Sequence, residues 1–348
     1  MMIKLISKYK WLGFIALTIF VSSCSKPAAK LFKMHGSTMG TYYQVTYVLN
    51  VAQLANTHLS IKSLQTTINK KLELVNDQMS TFRKNSELSQ INRSRSGVVV
   101  SNATRDVIKS ALKIYQQSHG AYDITIGPLV NLWGFGPDKR INKAPSAALI
   151  AKKLKSVGSQ YVSIQGNMIH KAIPSLYIDL SSIAKGYAVD VVSEYLASLG
   201  IKNYLVDIGG ELRTNGHKLE HKRWKVGVET PSSASESVER VIDIGNNAIA
   251  TSGNYRNYFE KNGIRYSHII DPKTGSPITH NLVSVSVVYS NCKMADGYAT
   301  AITVLGPKAG FDFAKKYKLA VFLITKEGGK YIEHYTDNFK QYFVKERK

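Results

Sequence analysis

The chain has 348 residues, 44% of them hydrophobic, and its 46 Lys and Arg against 24 Asp and Glu give a formal net charge of +22. That length and apolar content suffice for one globular body or two intimately joined lobes, and they exclude a disordered or low-complexity chain. The positive field favours anionic ligands and acidic surfaces, but the lysines are scattered rather than interleaved with aromatics, which argues against a nucleic-acid binder.

The first predicted element is a targeting segment. Lys4, Lys8 and Lys10 form a basic n-region, and residues 11–21 form an apolar h-region too short to span a bilayer as a permanent helix. Val21, Ser22, Ser23 and Cys24 resemble a bacterial lipobox, with an ordinary signal peptide and a chance cysteine as the alternative. On the first reading residues 1–23 are a signal peptide and Cys24 is lipidated. Residues 24–34 are then a tether, and 35–348 one folded domain. Loss of residues 1–23 removes three lysines and no acid, lowering the formal charge from +22 to +19. The other cysteine is Cys292, so lipidation of Cys24 leaves no intramolecular disulfide.

Residues 41–49 alternate and are rich in Tyr, Val and Thr, as a half-buried strand is. Ile61, Leu64, Ile68, Leu72, Val75 and Met79 recur at spacings of three and four, the signature of one helical face. Further helices are predicted over 103–118, with Ser101 or Asn102 as cap and Gly120 as stop, and over 146–156. Short strands follow near 161–164, 176–179, 204–208, 224–228, 241–244 and 282–288, and a hairpin spans 320–325 and 331–335 around Gly328 and Gly329. The fold class is α+β: a mixed, largely antiparallel sheet flanked by helices, not a regular doubly wound one.

Four blocks carry chemistry. In residues 179–187 a strand ends in Asp179, and small residues lead into a helix whose stripe includes Val189, Val192 and Leu196. Free amides at such a helix start, with Lys185 beside them, suit a phosphate; a capped turn with a surface lysine has the same sequence. In residues 295–301, Asp296 and Thr300 lie four apart and share a helical face. Their hard oxygens suit magnesium, although a solvated face also presents such pairs; zinc is disfavoured because no His or Cys cluster has ligand spacing. In residues 267–277 the Asp-Pro and Thr-Gly pairs mark a tight turn that holds His268 on a rigid edge, as a proton acceptor or as a partner of a backbone carbonyl. In residues 204–211 Gly209 and Gly210 mark a turn, a close approach or a bulge. Aromatics and glycines alternate over 121–136, as in the wall of a flat ligand or in a packed core.

Taken together and in this order, the blocks resemble the FAD:protein FMN transferase family, the ApbE-like flavin transferases. The resemblance runs from His35 to the C-terminal hairpin. It rests on GSTMGT (36–41), MSTF (79–82), SELSQIN (86–92), DITIGPLVNLWGFGP (123–137), DLSSIAKGYAVD (179–190), VDIGGELR (206–213), ATSGNYRNYF (250–259), HIIDPKTGSP (268–277) and ADGYAT (295–300). It implies a cleft between two lobes that binds FAD as substrate, lined by Met39, Phe82, Ala121, Tyr122, Asp123, Asp179, Lys185 and Ile270. It further implies Mg2+ held by Asp296, Thr300 and the main-chain carbonyl of Ser182, with His268 as the base. Two departures stand out: Ser181-Ser182 where Gly-Ala is frequent, and Gly297-Tyr298 where small or aliphatic residues are usual.

The implied reaction is magnesium-dependent transfer of FMN from FAD to a Ser or Thr of an acceptor flavoprotein, such as a respiratory electron-transport subunit, with release of AMP. A magnesium-dependent FAD pyrophosphatase and a non-catalytic FAD-binding lipoprotein are the alternatives. The expected location is extracytoplasmic and membrane-anchored, at the periplasmic face of the inner membrane; Ser25 in place of Asp leaves the outer membrane open.

Overall fold

A computed structural model describes residues 29–50, 60–136, 144–229, 238–253, 258–261 and 264–344. Cys24 and the predicted signal peptide lie outside the described residues. The first element, β1 (Ala29–Thr38), begins inside the stretch predicted as tether and pairs along its whole length with β2 (Thr41–Asn50). Met39 and Gly40 both have positive φ (50° and 72°), the conformation that a two-residue hairpin turn needs.

Helix α1 (Ile61–Met79) starts where the Ser60 hydroxyl accepts the Ser63 N–H, and it buries Leu64, Ile68, Leu72, Val75 and Met79 of the predicted stripe, while Ile61 in the first turn is exposed. Then come α2 (Glu87–Arg93), β3 (Gly97–Val99) and α3 (Asn102–Gln117), which Ser101 caps and which stops before Gly120, at φ 80°. Helices α4 (Gly127–Leu132) and α5 (Ala147–Leu154) precede β4 (Val162–Gln165) and β5 (Met168–Lys171); the last two make a small sheet with β3.

The strand predicted over 176–179 does not form. Its backbone is satisfied without a ladder: the Asn92 amide bonds both the N–H and C=O of Ile178 (2.7 and 2.8 Å), and the Asp179 N–H donates to Ile124 O. An extended apolar run reads as a strand, but here a side chain takes the neighbouring strand's place.

The rest of the chain supplies α6 (Ala184–Ser198), the hairpin β6 (Asn203–Ile208) and β7 (Glu211–Asn215), the pair β8 (Val226–Glu229) and β9 (Val238–Ile242), and β10 (Ala248–Gly253). Two further pairs follow, β11 (Tyr258–Lys261) with β12 (Ile264–Ser267) and β13 (Ile270–Asp271) with β14 (Ser276–Pro277). The chain closes with β15 (Leu282–Tyr289), α7 (Cys292–Lys316), the hairpin β16 (Ala320–Glu327) and β17 (Lys330–Tyr335), and α8 (Asp337–Lys340). Helix α7 breaks at Gly306 (φ 79°).

Eight strands form one sheet in the order β1-β2-β6-β7-β10-β15-β16-β17, every neighbouring pair antiparallel. Side chains alternate across it. Val285, Val287, Val321 and Leu323 face α1, α3, α6 and α7 in the main core, while Ile249, Val288, Phe322 and Ile324 face β8, β9 and Phe339 on the other side. A third cluster of Leu129, Trp133 and Ile270, joined by Phe135, Ile150 and Tyr266, is tied to the 272–275 turn by a Trp133 Nε1–Gly275 O bond of 2.8 Å. The predicted α+β class with a largely antiparallel sheet is the observed one.

Candidate active site

The N-terminal ends of α6 and α7 meet at a glycine. A Cβ on Gly186 would lie 2.4 Å from Cys292 O and 2.9 Å from Asp296 Cβ, so only glycine admits this approach. The Gly186 N–H donates to Asp296 Oδ2 at 3.0 Å, locking the carboxylate of one helix to the backbone of the other. Asp190, one turn further along α6, accepts the N–H groups of Cys292 and Lys293 (both 2.9 Å) and the Arg213 guanidinium (2.8 Å), which pins the first turn of α7.

Beside this junction lies a cavity of about 820 Å³. Phe82, Ala121, Tyr122, Asp123, Asp179, Ser182, Lys185, His268, Ile270, Asp296 and Thr300, all predicted from sequence, line it together. Met39 does not line it: from its left-handed turn it packs against the main core.

The lining residues differ in what they have free. Asp123 is committed, accepting from Thr125 N and Oγ1 and from Ser159 N and Oγ, so its carboxylate builds the wall. Ser182 Oγ donates to the Tyr122 hydroxyl at 2.9 Å, and burial pushes that phenol far above its ordinary pKa. Phe82 is 74% exposed at the cavity mouth, free to cover a flat ring. His268 sits in the bend between β12 and β13, edge-on to Phe135 with ring centroids 6.3 Å apart.

The electrostatics concentrate on three buried charges. Lys185 Nζ lies 2.5 Å from Glu211 Oε1, while Glu211 Oε2 is buried without a hydrogen-bond partner. Burial works against the Lys185 charge, but Glu211 and then Asp296 outweigh it and hold its pKa above the ordinary lysine value. Burial, and then repulsion from Glu211, push Asp296 up to about 8. Burial also raises Asp179, whose Oδ1 accepts the Ser181 N–H. Five acids, Asp123, Asp179, Asp207, Glu211 and Asp296, against Lys185 and Lys225 leave the cavity short of positive charge.

The amides expected to cradle a phosphate are largely spent: Ala184 N–H donates to Leu180 O and Gly186 N–H to Asp296. The positive charge offered to an anion therefore comes from Lys185, Lys225 and the α6 dipole. Among the described residues no cluster of three or more His, Cys, Asp or Glu forms a metal site. The residues present nonetheless fit a hard cation, because a buried carboxylate raised to about 8 and an orphaned carboxylate oxygen are what a divalent ion would relieve. Gly297 and Tyr298 turn away from the cavity: Gly297 admits Ile114, and the Tyr298 hydroxyl bonds Gln117, so the departure at these positions concerns packing on α3.

Sequence reasoning missed Glu211 and Asp190. Each sits inside a block quoted for its neighbours, and an acid in such a block signals its role only once a lysine or a helix end is known to face it.

The described residues form an antiparallel α+β body with a charged cavity where the N-terminal ends of two helices meet. Residues 39–323 match the model of the ApbE family. The FAD:protein FMN transferase of Vibrio cholerae is 44% identical over 96% of this chain and 99% of its own length, and that of Escherichia coli K12 is 36% identical over 95% and 96%. The solved flavin transferase ApbE of Vibrio cholerae superposes with a TM-score of 0.84 at 42% identity, covering 91% of this chain and all of that one. The apo flavinyl transferase ApbE of Pseudomonas stutzeri does so at 0.83 and 35%, covering 90% and 97%. The chain belongs to the ApbE family.

Proposed function

We propose that the protein transfers the FMN half of FAD to a Ser or Thr hydroxyl of an acceptor protein, releasing AMP, with magnesium as cofactor. The observation that carries this reading is the convergence of Lys185, Asp179, Ser182, Asp296, Thr300 and His268, from three separate segments, on one cavity in a chain of this family.

The residues divide the work. Phe82 and the apolar wall from Ile126 to Phe135 bury the rings of FAD, and Lys185, fixed by Glu211, sets its charge against the pyrophosphate. Asp296, Thr300 and the Ser182 carbonyl would hold the magnesium ion, which when bound supplies charge neutralisation at the pyrophosphate. His268 takes the acceptor hydroxyl proton at a ring nitrogen while that oxygen bonds to the FMN phosphorus and the phosphorus–oxygen bond to AMP breaks. A bound acceptor excludes water, which otherwise yields free FMN. The acceptor class, an exported flavoprotein such as a respiratory electron-transport subunit, and the location, a Cys24-lipidated form at the periplasmic face of the inner membrane, follow from the lipobox and the family resemblance.

The test incubates residues 25–348 with FAD, magnesium and a Ser/Thr-bearing acceptor domain, and weighs the acceptor by intact mass spectrometry. A gain of one FMN, lost with EDTA and in Asp296→Ala, is the expected result. An unmodified acceptor with free FMN and AMP means a pyrophosphatase, and intact FAD means a carrier. Fractionation of cells bearing Cys24→Ala tests the anchor: the variant is expected in the soluble fraction.

A further inference from the structure

The main sheet has a notch at the cavity. Strand β10 pairs with β15 along its whole length, out to Gly253 opposite Ser284. On its other edge it pairs with β7 only at Ala248–Arg213 and Ile249–Leu212, because β7 begins at Glu211 and the chain turns back through Gly209 and Gly210, at φ 62° and 98°. The outer half of β10, residues 250–253, therefore runs past the tip of the β6–β7 hairpin.

Ladder parity shows which backbone groups face the gap. The Thr214 N–H donates to Asn247 O at 3.0 Å, so Asn247 and Thr214 form a hydrogen-bonded pair in the same register. Such pairs alternate along an antiparallel ladder, so Ile249 turns its backbone toward β7, and Thr251 and Gly253 turn theirs the same way, where β7 has ended. Thr251, Ser252, Gly253, Gly209, Gly210 and Glu211 all line the cavity that holds Lys185 and His268. The space beside Gly210 is open: a Cβ built there meets nothing within 4 Å.

We infer that the acceptor protein's Ser/Thr segment docks in this notch as an extended strand, pairing its backbone with Thr251 and Gly253. The inference rests on the transferase reading above. Two N–H and C=O sets, two residues and so about 7 Å apart on a sheet edge, match the repeat of an extended peptide and neither a phosphate nor an aromatic ring. Gly210 at the hairpin tip leaves room for the incoming chain, and the segment's hydroxyl reaches a cavity already lined by His268.

The experiment has an enzyme arm and an acceptor arm, both on the folded mature chain. Thr251→Pro removes one N–H directed into the notch and puts a ring in its place; the backbone ladder to β15, served by Ala250 and Ser252, keeps its bonds, and Thr251→Val, which also loses the 2.7 Å hydroxyl bond to Ser286 Oγ but keeps the N–H, is the control. The acceptor KM is expected to rise roughly tenfold or more, with the FAD dissociation constant unchanged. In the second arm the wild-type enzyme receives synthetic peptides spanning the acceptor Ser/Thr, each N-methylated at one backbone amide. Flavinylation, read as the mass gain of FMN, is expected to fail at alternate positions. An unchanged acceptor KM in a folded Thr251→Pro enzyme, or a methylation series without alternation, overturns the docking mode. Wild-type enzyme that leaves both the acceptor domain and the parent peptide unmodified while releasing FMN overturns the transferase reading itself, and the docking mode with it.

Discussion

The Gly186→Ala substitution concentrates the geometry of the site in one methyl group. The added Cβ would stand 2.4 Å from Cys292 O and 2.7 Å from its carbonyl carbon, where ordinary contact begins at 3.4 Å, so α6 and α7 must part by 1.0 Å along that line. The α7 backbone cannot yield alone, since Asp190 holds its first two amides. Overpacking of this kind costs about 1–3 kcal/mol. The better helix propensity of alanine offsets about 1 kcal/mol. The net loss, up to about 2 kcal/mol, corresponds to a melting temperature lower by up to roughly 3 °C for a chain of this size. Activity suffers more. The same displacement carries Asp296 off its Gly186 bond, and a shift of about 1 Å at a reacting centre costs on the order of 100-fold in rate. Differential scanning calorimetry and acceptor flavinylation measure the two effects side by side. An alanine enzyme that melts at or above the wild-type temperature and turns over at the wild-type rate would refute the close-approach argument.

Asp296→Asn is expected to stabilise the metal-free protein at neutral pH while abolishing transfer. With its folded pKa at about 8 against an ordinary 3.8, the carboxyl keeps its proton in the folded state after the unfolded state has lost it. Wild-type stability therefore falls between about pH 4 and 8, by up to about 1.4 kcal/mol per unit, and urea unfolding across pH should show that slope disappear in the variant. Glu211→Gln removes the repulsion that is the second cause of the shift, so it should lower the upper end of the same window; an unmoved window would deny that the two acids interact. Asp190→Ala leaves Arg213 and two α7 amides without their partner and should cost about 3 kcal/mol in urea unfolding, with FAD turnover lost alongside. A loss under about 0.5 kcal/mol would show that α7 needs no pin.

Elements governed by local periodicity were legible in the sequence. The stripe of α1, the Ser101 cap and Gly120 stop of α3, and the C-terminal hairpin are set by contacts within a few residues, and the structure reproduces them. The stretch 176–179 was misread because its partner is the Asn92 side chain, 86 residues away from Ile178. Strand β1 was passed over because an edge strand is extended by its neighbour β2, and its own alternation is weak.

The same division holds at the site. Residue chemistry and block order alone pointed to the family resemblance and to Asp179, Lys185, His268, Asp296 and Thr300 as candidates, since a residue's type fixes which chemistry it can take part in, while its placement sets its pKa. Only the tertiary structure decided that Asp123 is consumed by its own wall, that Met39 faces the core, that Glu211 fixes Lys185, and that β10 outruns β7, whose pairing stops at Ile249 among the described residues. Those outcomes depend on which distant backbone or charge arrives opposite each residue, and that is set by packing of the whole sheet against α6 and α7.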